Sequence, residues 1–168
     1  MKLSSSCVLL GLLLLPTLFF GCGKDQASEM FASVNSSNIQ RVANLYCVYQ
    51  AQHNFKGPAN EQELKDFIAN LDPSRHKYFG INVANLDQMF VSERDKQPFK
   101  IRWGLEAKPR QGPIPIAFEQ EGVQGRYRVA FSSFQVDEFD LFDYEELWAG
   151  RRDEQMVDSN RGTPRPGG

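Results

Sequence analysis

Apolar residues run almost unbroken over residues 8–20 and nowhere else in the chain at such length. Beyond them the pattern becomes periodic. Over residues 38–54, Ile39, Val42, Ala43, Tyr46, Tyr49 and His53 fall at three- and four-residue steps, and Leu45 and Val48 widen the stripe. That spacing predicts an amphipathic helix, capped by Ser36 or Ser37 and stopped by Gly57-Pro58. A second helix is predicted with Asn60 as cap, Glu63 reaching back, and Leu64, Phe67, Ile68 and Leu71 as its buried face; Asp72-Pro73 ends it. A helical turn over residues 74–78 follows. The period then falls to two. Met89-Phe90-Val91, a turn at residues 93–96, and Phe99, Ile101 and Trp103 alternating with Lys100 and Arg102 predict a hairpin. Residues 104–113 read as a loop. Residues 114–118 read as a strand that Pro115 places at an edge or a strand start. A turn at residues 122–125, a strand over 127–131, and another over Phe134-Gln135-Val136 complete the β part. Residues 143–148 predict a terminal helical turn, with Asp143 as cap and Glu145 and Glu146 suited to its N-terminal dipole.

Helices first and a meander of short strands afterwards make an α+β domain, with the long helix across an antiparallel sheet. The predicted organisation is a signal peptide (1–21), a tether (22–37), the α+β domain (38–149) and a disordered tail (150–168), which is polar and rich in Pro and Gly.

Met1-Lys2 followed by the short apolar run has the form of a secretory signal peptide. A membrane-spanning helix needs about 20 apolar residues, whereas this run contains Pro16 and meets Lys24-Asp25-Gln26 at once. Phe19-Phe20-Gly21-Cys22 resembles the lipobox of bacterial lipoproteins, where a small residue precedes a cysteine that is acylated and becomes the new N-terminus. Phe19 stands where that family usually has Leu, and Phe20 where a small residue is common. The resemblance implies lipid attachment at Cys22 through two or three acyl chains and a membrane-anchored, exported protein. Gly23, in place of an Asp, points toward the outer membrane in a cell that has one. The alternative is an ordinary signal peptide with a chance cysteine beside the cut.

The chain has 168 residues and net charge −2, long enough for one domain with a real core. The near-balanced charge gives no clustered basic face, so no nucleic-acid partner is expected. Of the three cysteines, Cys7 leaves with the signal peptide and Cys22 is the acylation candidate. Cys47 alone remains, and the domain expects no internal disulfide.

Residues 38–46, then Tyr49, His53 and Gly57-Pro58, resemble the helix that follows the membrane segment in bacterial pseudopilin-like secreted proteins. Residues 94–99 and 127–131 resemble their hairpin and late strand. The resemblance implies a helix on an antiparallel sheet and nothing catalytic. Filament assembly is not implied, because no Glu follows shortly after a Gly cut and the apolar run is expected to be removed.

Candidate chemistry is sparse. Cys47 and His53 lie six residues apart, about 600° around a helix, and so face different ways; a buried structural cysteine is the expected role. His53 and His76, the two histidines, form no zinc spacing, and His53 is expected to meet carbonyls at the helix end. Asp137, Glu138, Asp140, Asp143, Glu145 and Glu146 lack the Gly and the ligand alternation of a calcium loop and read as a solvated face with a helix cap. No phosphate loop or nucleophile elbow appears. Phe90, Phe99, Trp103, Phe118, Tyr127, Phe131 and Phe134 read as core; the alternative is an aromatic groove for a peptide or glycan. No catalytic residue, metal or cofactor is expected. The functional expectation is a binding or assembly module with an envelope partner, against a cell-envelope hydrolase or a structural envelope protein.

Overall fold

The computed structural model describes residues 35–108 and 112–151. The signal peptide, Cys22 and most of the tether and tail lie outside these. The elements in order are α1 (Asn38–Gln52), α2 (Glu61–Ala69), α3 (Pro73–Phe79), a 3₁₀ segment (Val83–Phe90), β1 (Lys100–Ile101), β2 (Pro115–Phe118), β3 (Tyr127–Phe131), β4 (Val136–Phe139) and α4 (Leu141–Trp148). The fold is α+β. The four strands form one antiparallel sheet in the order β1-β2-β3-β4, the predicted meander.

The sheet has a core on each face. On one face α1 buries Ile39, Val42, Leu45, Tyr46 and Tyr49 against Ile101, Ile116, Ala117 and Ala130, with Leu64 and Ile68 of α2 and Met89-Phe90 beside them. On the other face α4 packs Tyr144 and Leu147 against Phe118, Val129 and Phe131. Alternation along β3 sorts the two cores: Val129 and Phe131 point to α4 and Ala130 to α1. Ile116 and Ala117 both belong to the α1 side, which the register shift between Pro115 and Ala117 permits. The expected terminal helical turn is therefore a two-turn helix that packs across β2, β3 and β4 on the second sheet face. Phe118 meets Tyr144 and Trp148 edge-on, at 5.5 and 5.1 Å between ring centroids.

Several local expectations give way to longer-range contacts. Neither serine caps α1: Ser37 is at the N-cap position without a side-chain bond. Instead the Asn38 N–H donates to Glu93 Oε1 at 2.7 Å, and Asn38 Nδ2 donates to the Gln88 and Val91 carbonyls. Met89-Phe90-Val91 is not a strand. Met89 and Phe90 end the 3₁₀ segment, and pairing with the following arm shrinks to a single Val91–Pro98 bridge. Trp103 lies outside β1; it is partly buried and stacks on Tyr46 at 6.2 Å. Asn60 caps α2 as expected, but Glu63 reaches the Ala59 N–H rather than that of Asn60. The helix ends at Ala69, and Asp72 instead caps α3. Residues 132–135 form a turn, so Phe134 is exposed and the last strand is β4, starting at Val136. Asp140, not Asp143, caps α4 by accepting the Asp143 N–H at 2.9 Å.

The acidic stretch divides accordingly. Glu138 in β4 accepts from Arg94 Nη1 at 2.8 Å and Arg128 Nε at 3.0 Å, and the Arg128 bond first, then the nearby guanidiniums, hold its carboxyl below the usual range. No helix among the described residues is long and apolar enough to cross a membrane.

Candidate functional site

The C-terminal end of α1 opens into an irregular loop that ties back to the rest of the domain. The Gln50 carbonyl accepts from the His53 and Phe55 N–H groups, the Phe55 carbonyl accepts from Ala107 at 2.9 Å, and Gly57 N–H donates to the Leu105 carbonyl at 2.8 Å. These bonds hold Asn54 and Phe55 at φ 53° and 64°. A left-handed conformation strains a residue that carries a Cβ, by roughly 1–2 kcal/mol. Asn accepts it through its short polar side chain; Phe has no such compensation. Phe55 is nonetheless 63% exposed. It stands next in the chain to an open cavity of about 380 Å³ lined by Tyr49, Gln52, His53, Lys56 and Glu63, among others.

Inside this cavity the polar groups hold one another. The Tyr49 hydroxyl donates to Glu63 Oε1, and Glu63 Oε2 accepts from the Ala59 N–H at 2.6 Å. The His53 ring lies flat on Tyr49 at 3.8 Å and 4°, with Nδ1 2.8 Å from the Tyr49 carbonyl oxygen, so His53 does meet a helix-end carbonyl. It is exposed, however, and does not belong to the buried stripe of α1.

The bond to Glu63, with burial second, pushes the Tyr49 phenol up to about 12. The same bond, followed by the Ala59 N–H, holds the Glu63 carboxyl below its usual range. Both groups move away from neutrality, whereas a general acid or base works best with a pKa near the working pH. The arrangement suits a fixed binding surface. Tyr49 binds its proton more tightly when folded, so its contribution is complete below the free phenol value of about 10 and is lost as pH rises through about 12. Glu63 contributes above the free carboxyl value and loses that contribution as pH falls through its lowered one. In Glu63→Gln, the raised titration of Tyr49 is expected to shift back toward the free value, read by phenolate absorbance; an unchanged titration would contradict the pair.

The other sequence candidates lie elsewhere. Cys47 is partly buried with Sγ 3.8 Å from the Ser132 carbonyl oxygen, and burial pushes its thiol up to about 12, leaving negligible thiolate at neutral pH. It and His53 are held by different partners. His76 Nε2 lies 2.7 Å from the Ile68 carbonyl oxygen, joining α3 to α2. Ser132 Oγ accepts the Ile114 N–H at 2.9 Å. Among the described residues no group of three His, Cys, Asp or Glu is placed to hold a metal. The aromatic set does not form a groove: Phe90, Phe99, Phe118 and Phe131 are buried, Trp103 and Tyr127 partly so, and Phe134 is exposed on its own turn. Leu141, Phe142 and Trp148 on α4 are also exposed. Cys22, the lipid-attachment candidate, lies outside the described residues.

Phe55 escaped sequence reasoning because Asn54-Phe55-Lys56-Gly57 reads only as a helix stop. The available signal was a large aromatic inside an otherwise polar turn. No protein-family model, curated protein or solved structure matches this chain.

Proposed function

We propose that this chain is an exported envelope protein, anchored through acyl chains on Cys22, that acts as a binding or assembly module rather than an enzyme. The single observation that carries the binding role is Phe55. A large apolar side chain is kept in solvent and in a strained backbone conformation beside a concave polar surface. Neither packing nor local backbone preference asks for Phe there, and strained residues concentrate at ligand contacts. The Tyr49–Glu63 pair, with both groups moved away from neutral pH, supports binding over acid–base catalysis. The anchoring role rests on Phe19-Phe20-Gly21-Cys22 at the end of the apolar run.

The binding role is tested by placing a photo-crosslinking amino acid at Phe55 in cells, with Gln124, exposed on the β2–β3 turn, as the control position. One discrete adduct at Phe55 and none at Gln124 is the expected outcome. Equal adducts, or none at Phe55, would sink the reading. The anchor is tested by intact mass and fractionation: Cys22→Ser is expected to leave the membrane fraction without unfolding.

A further inference from the structure

Phe134 has the same two properties as Phe55, at the opposite end of α1. It sits at φ 64° and is 50% exposed. Its turn is firmly placed. The Phe131 N–H donates to the Gln135 carbonyl at 2.9 Å, the Ser132 N–H donates to the Ile114 carbonyl, and Gln40 Nε2, in the first turn of α1, donates to the Phe134 carbonyl at 3.0 Å. Gly would satisfy this backbone without strain. The side chain packs in neither core cluster, so Phe is not there to fill the interior.

The position of this turn says what it meets. Gln40 is two residues into α1, and α1 begins where the chain arrives from residues 22–34. Those roughly 13 residues can span at most about 45 Å. Anchored at Cys22, they keep the start of α1, and the Phe134 turn bonded to it, within that reach of the bilayer surface and nearer to it along the chain than the far end of α1. Such tethering puts the turn and the lipid at an effective concentration in the millimolar range. A contact too weak to hold a free domain then suffices. Ser133 and Gln135 flank Phe134 in the chain and bond each other, the Ser133 hydroxyl donating to Gln135 Oε1 at 3.1 Å, so the half-exposed ring is the apolar group that this turn presents. The loop carrying Phe55 lies at the other end of α1, about 22 Å along its axis.

We infer that Phe134 is a lipid contact that seats the tether end of the domain on the membrane surface, leaving the Phe55 loop directed away from it. This rests on the proposed anchor at Cys22. The test uses the full, processed protein reconstituted in phosphatidylcholine vesicles carrying a doxyl quencher near the head group. Phe134→Trp is expected to lose fluorescence to the quencher beyond the wild-type background from Trp103 and Trp148. Phe55→Trp is expected to lose none beyond it. No extra quenching at Phe134→Trp in protein whose mass shows acylated Cys22 would overturn the lipid contact alone. Equal quenching at both positions would overturn the orientation. A mass without acyl chains would overturn the anchor and this inference together.

Discussion

Glu119→Ala is expected to destabilise the domain by about 3–5 kcal/mol, from two donors left without their acceptor at about 1–3 kcal/mol each and from the volume it empties. Glu119 is 1% exposed. Its Oε1 accepts from Ser92 Oγ at 3.0 Å and its Oε2 from the Arg128 N–H at 3.0 Å, with Arg94 Nη1 3.5 Å away. Its own N–H donates to the Arg128 carbonyl, and its carbonyl accepts the Tyr144 hydroxyl at 2.7 Å. One residue thus joins the turn after the 3₁₀ segment, the β2–β3 hairpin and α4. Alanine leaves the buried Ser92 hydroxyl and the part-buried Arg128 N–H without this acceptor. Arg94 keeps Glu138 at 2.8 Å, so the loss arises mainly from these two donors and the emptied volume. Glu119→Gln retains one acceptor oxygen and is expected to lose less. Urea denaturation at neutral pH measures both. A loss in Glu119→Ala no larger than the roughly 1 kcal/mol of an exposed ion pair would refute this account.

Gly57→Ala is expected to be nearly as severe, at about 3 kcal/mol or more. A Cβ there would lie 2.7 Å from Tyr46 Cε1 and closer still to Cζ and Oη. Tyr46 cannot move aside, because it is fully buried in the α1 core. Its hydroxyl donates to the Arg102 carbonyl at 3.0 Å and accepts the Leu105 N–H at 3.0 Å. Burial pushes that phenol up to about 12, so it remains a donor throughout the physiological range. Overpacking a rigid core costs about 1–3 kcal/mol, and each buried group that loses its hydrogen bond adds about 1–3 kcal/mol. Tyr46→Phe keeps the ring and removes only the hydroxyl, so it separates the two terms. In the Tyr46→Phe background the closest clash is removed, and Gly57→Ala is expected to lose less than in the wild type. Additive losses in thermal unfolding would show that the hydroxyl takes no part in the collision, and an undiminished melting temperature in Gly57→Ala alone would refute the clash.

The helices were legible where sequence-local rules govern them. The stripe from Ile39 to Tyr49 and the Asn60 cap are written in residue spacing, and α1 and α2 begin where these predict. The β3 alternation, with turn residues on both sides, likewise gives its bounds. Misplaced elements have more than one cause. Met89 and Phe90 close the 3₁₀ segment, which leaves the expected hairpin arm a single Val91–Pro98 bridge. Glu93 takes the capping role expected of Ser36 or Ser37. Phe134 looked like strand because it is apolar, but the pairing of Ala130 with Val136 leaves it in the turn.

The candidate site was legible only in part. Tyr49 and Glu63 were both assigned local roles, one in a helix face and one in a capping box; Tyr49 fills its role, and Glu63 bonds the Ala59 N–H one residue before the expected Asn60. That the two roles meet in one hydrogen bond depends on how α2 folds back against α1. Gly57 was read as a helix stop, whereas its lack of a side chain serves the ring of Tyr46.

The sequence by itself determined the α+β class and the run of helices ahead of the strands, because both depend on hydrophobic period along a continuous stretch. Tertiary structure alone decided that the sheet carries a second core under α4, that Glu119 is the buried junction of three segments, and that Phe55 and Phe134 stand exposed at opposite ends of α1. Those outcomes depend on which distant groups satisfy one another's hydrogen bonds and volumes, and no local period records that choice.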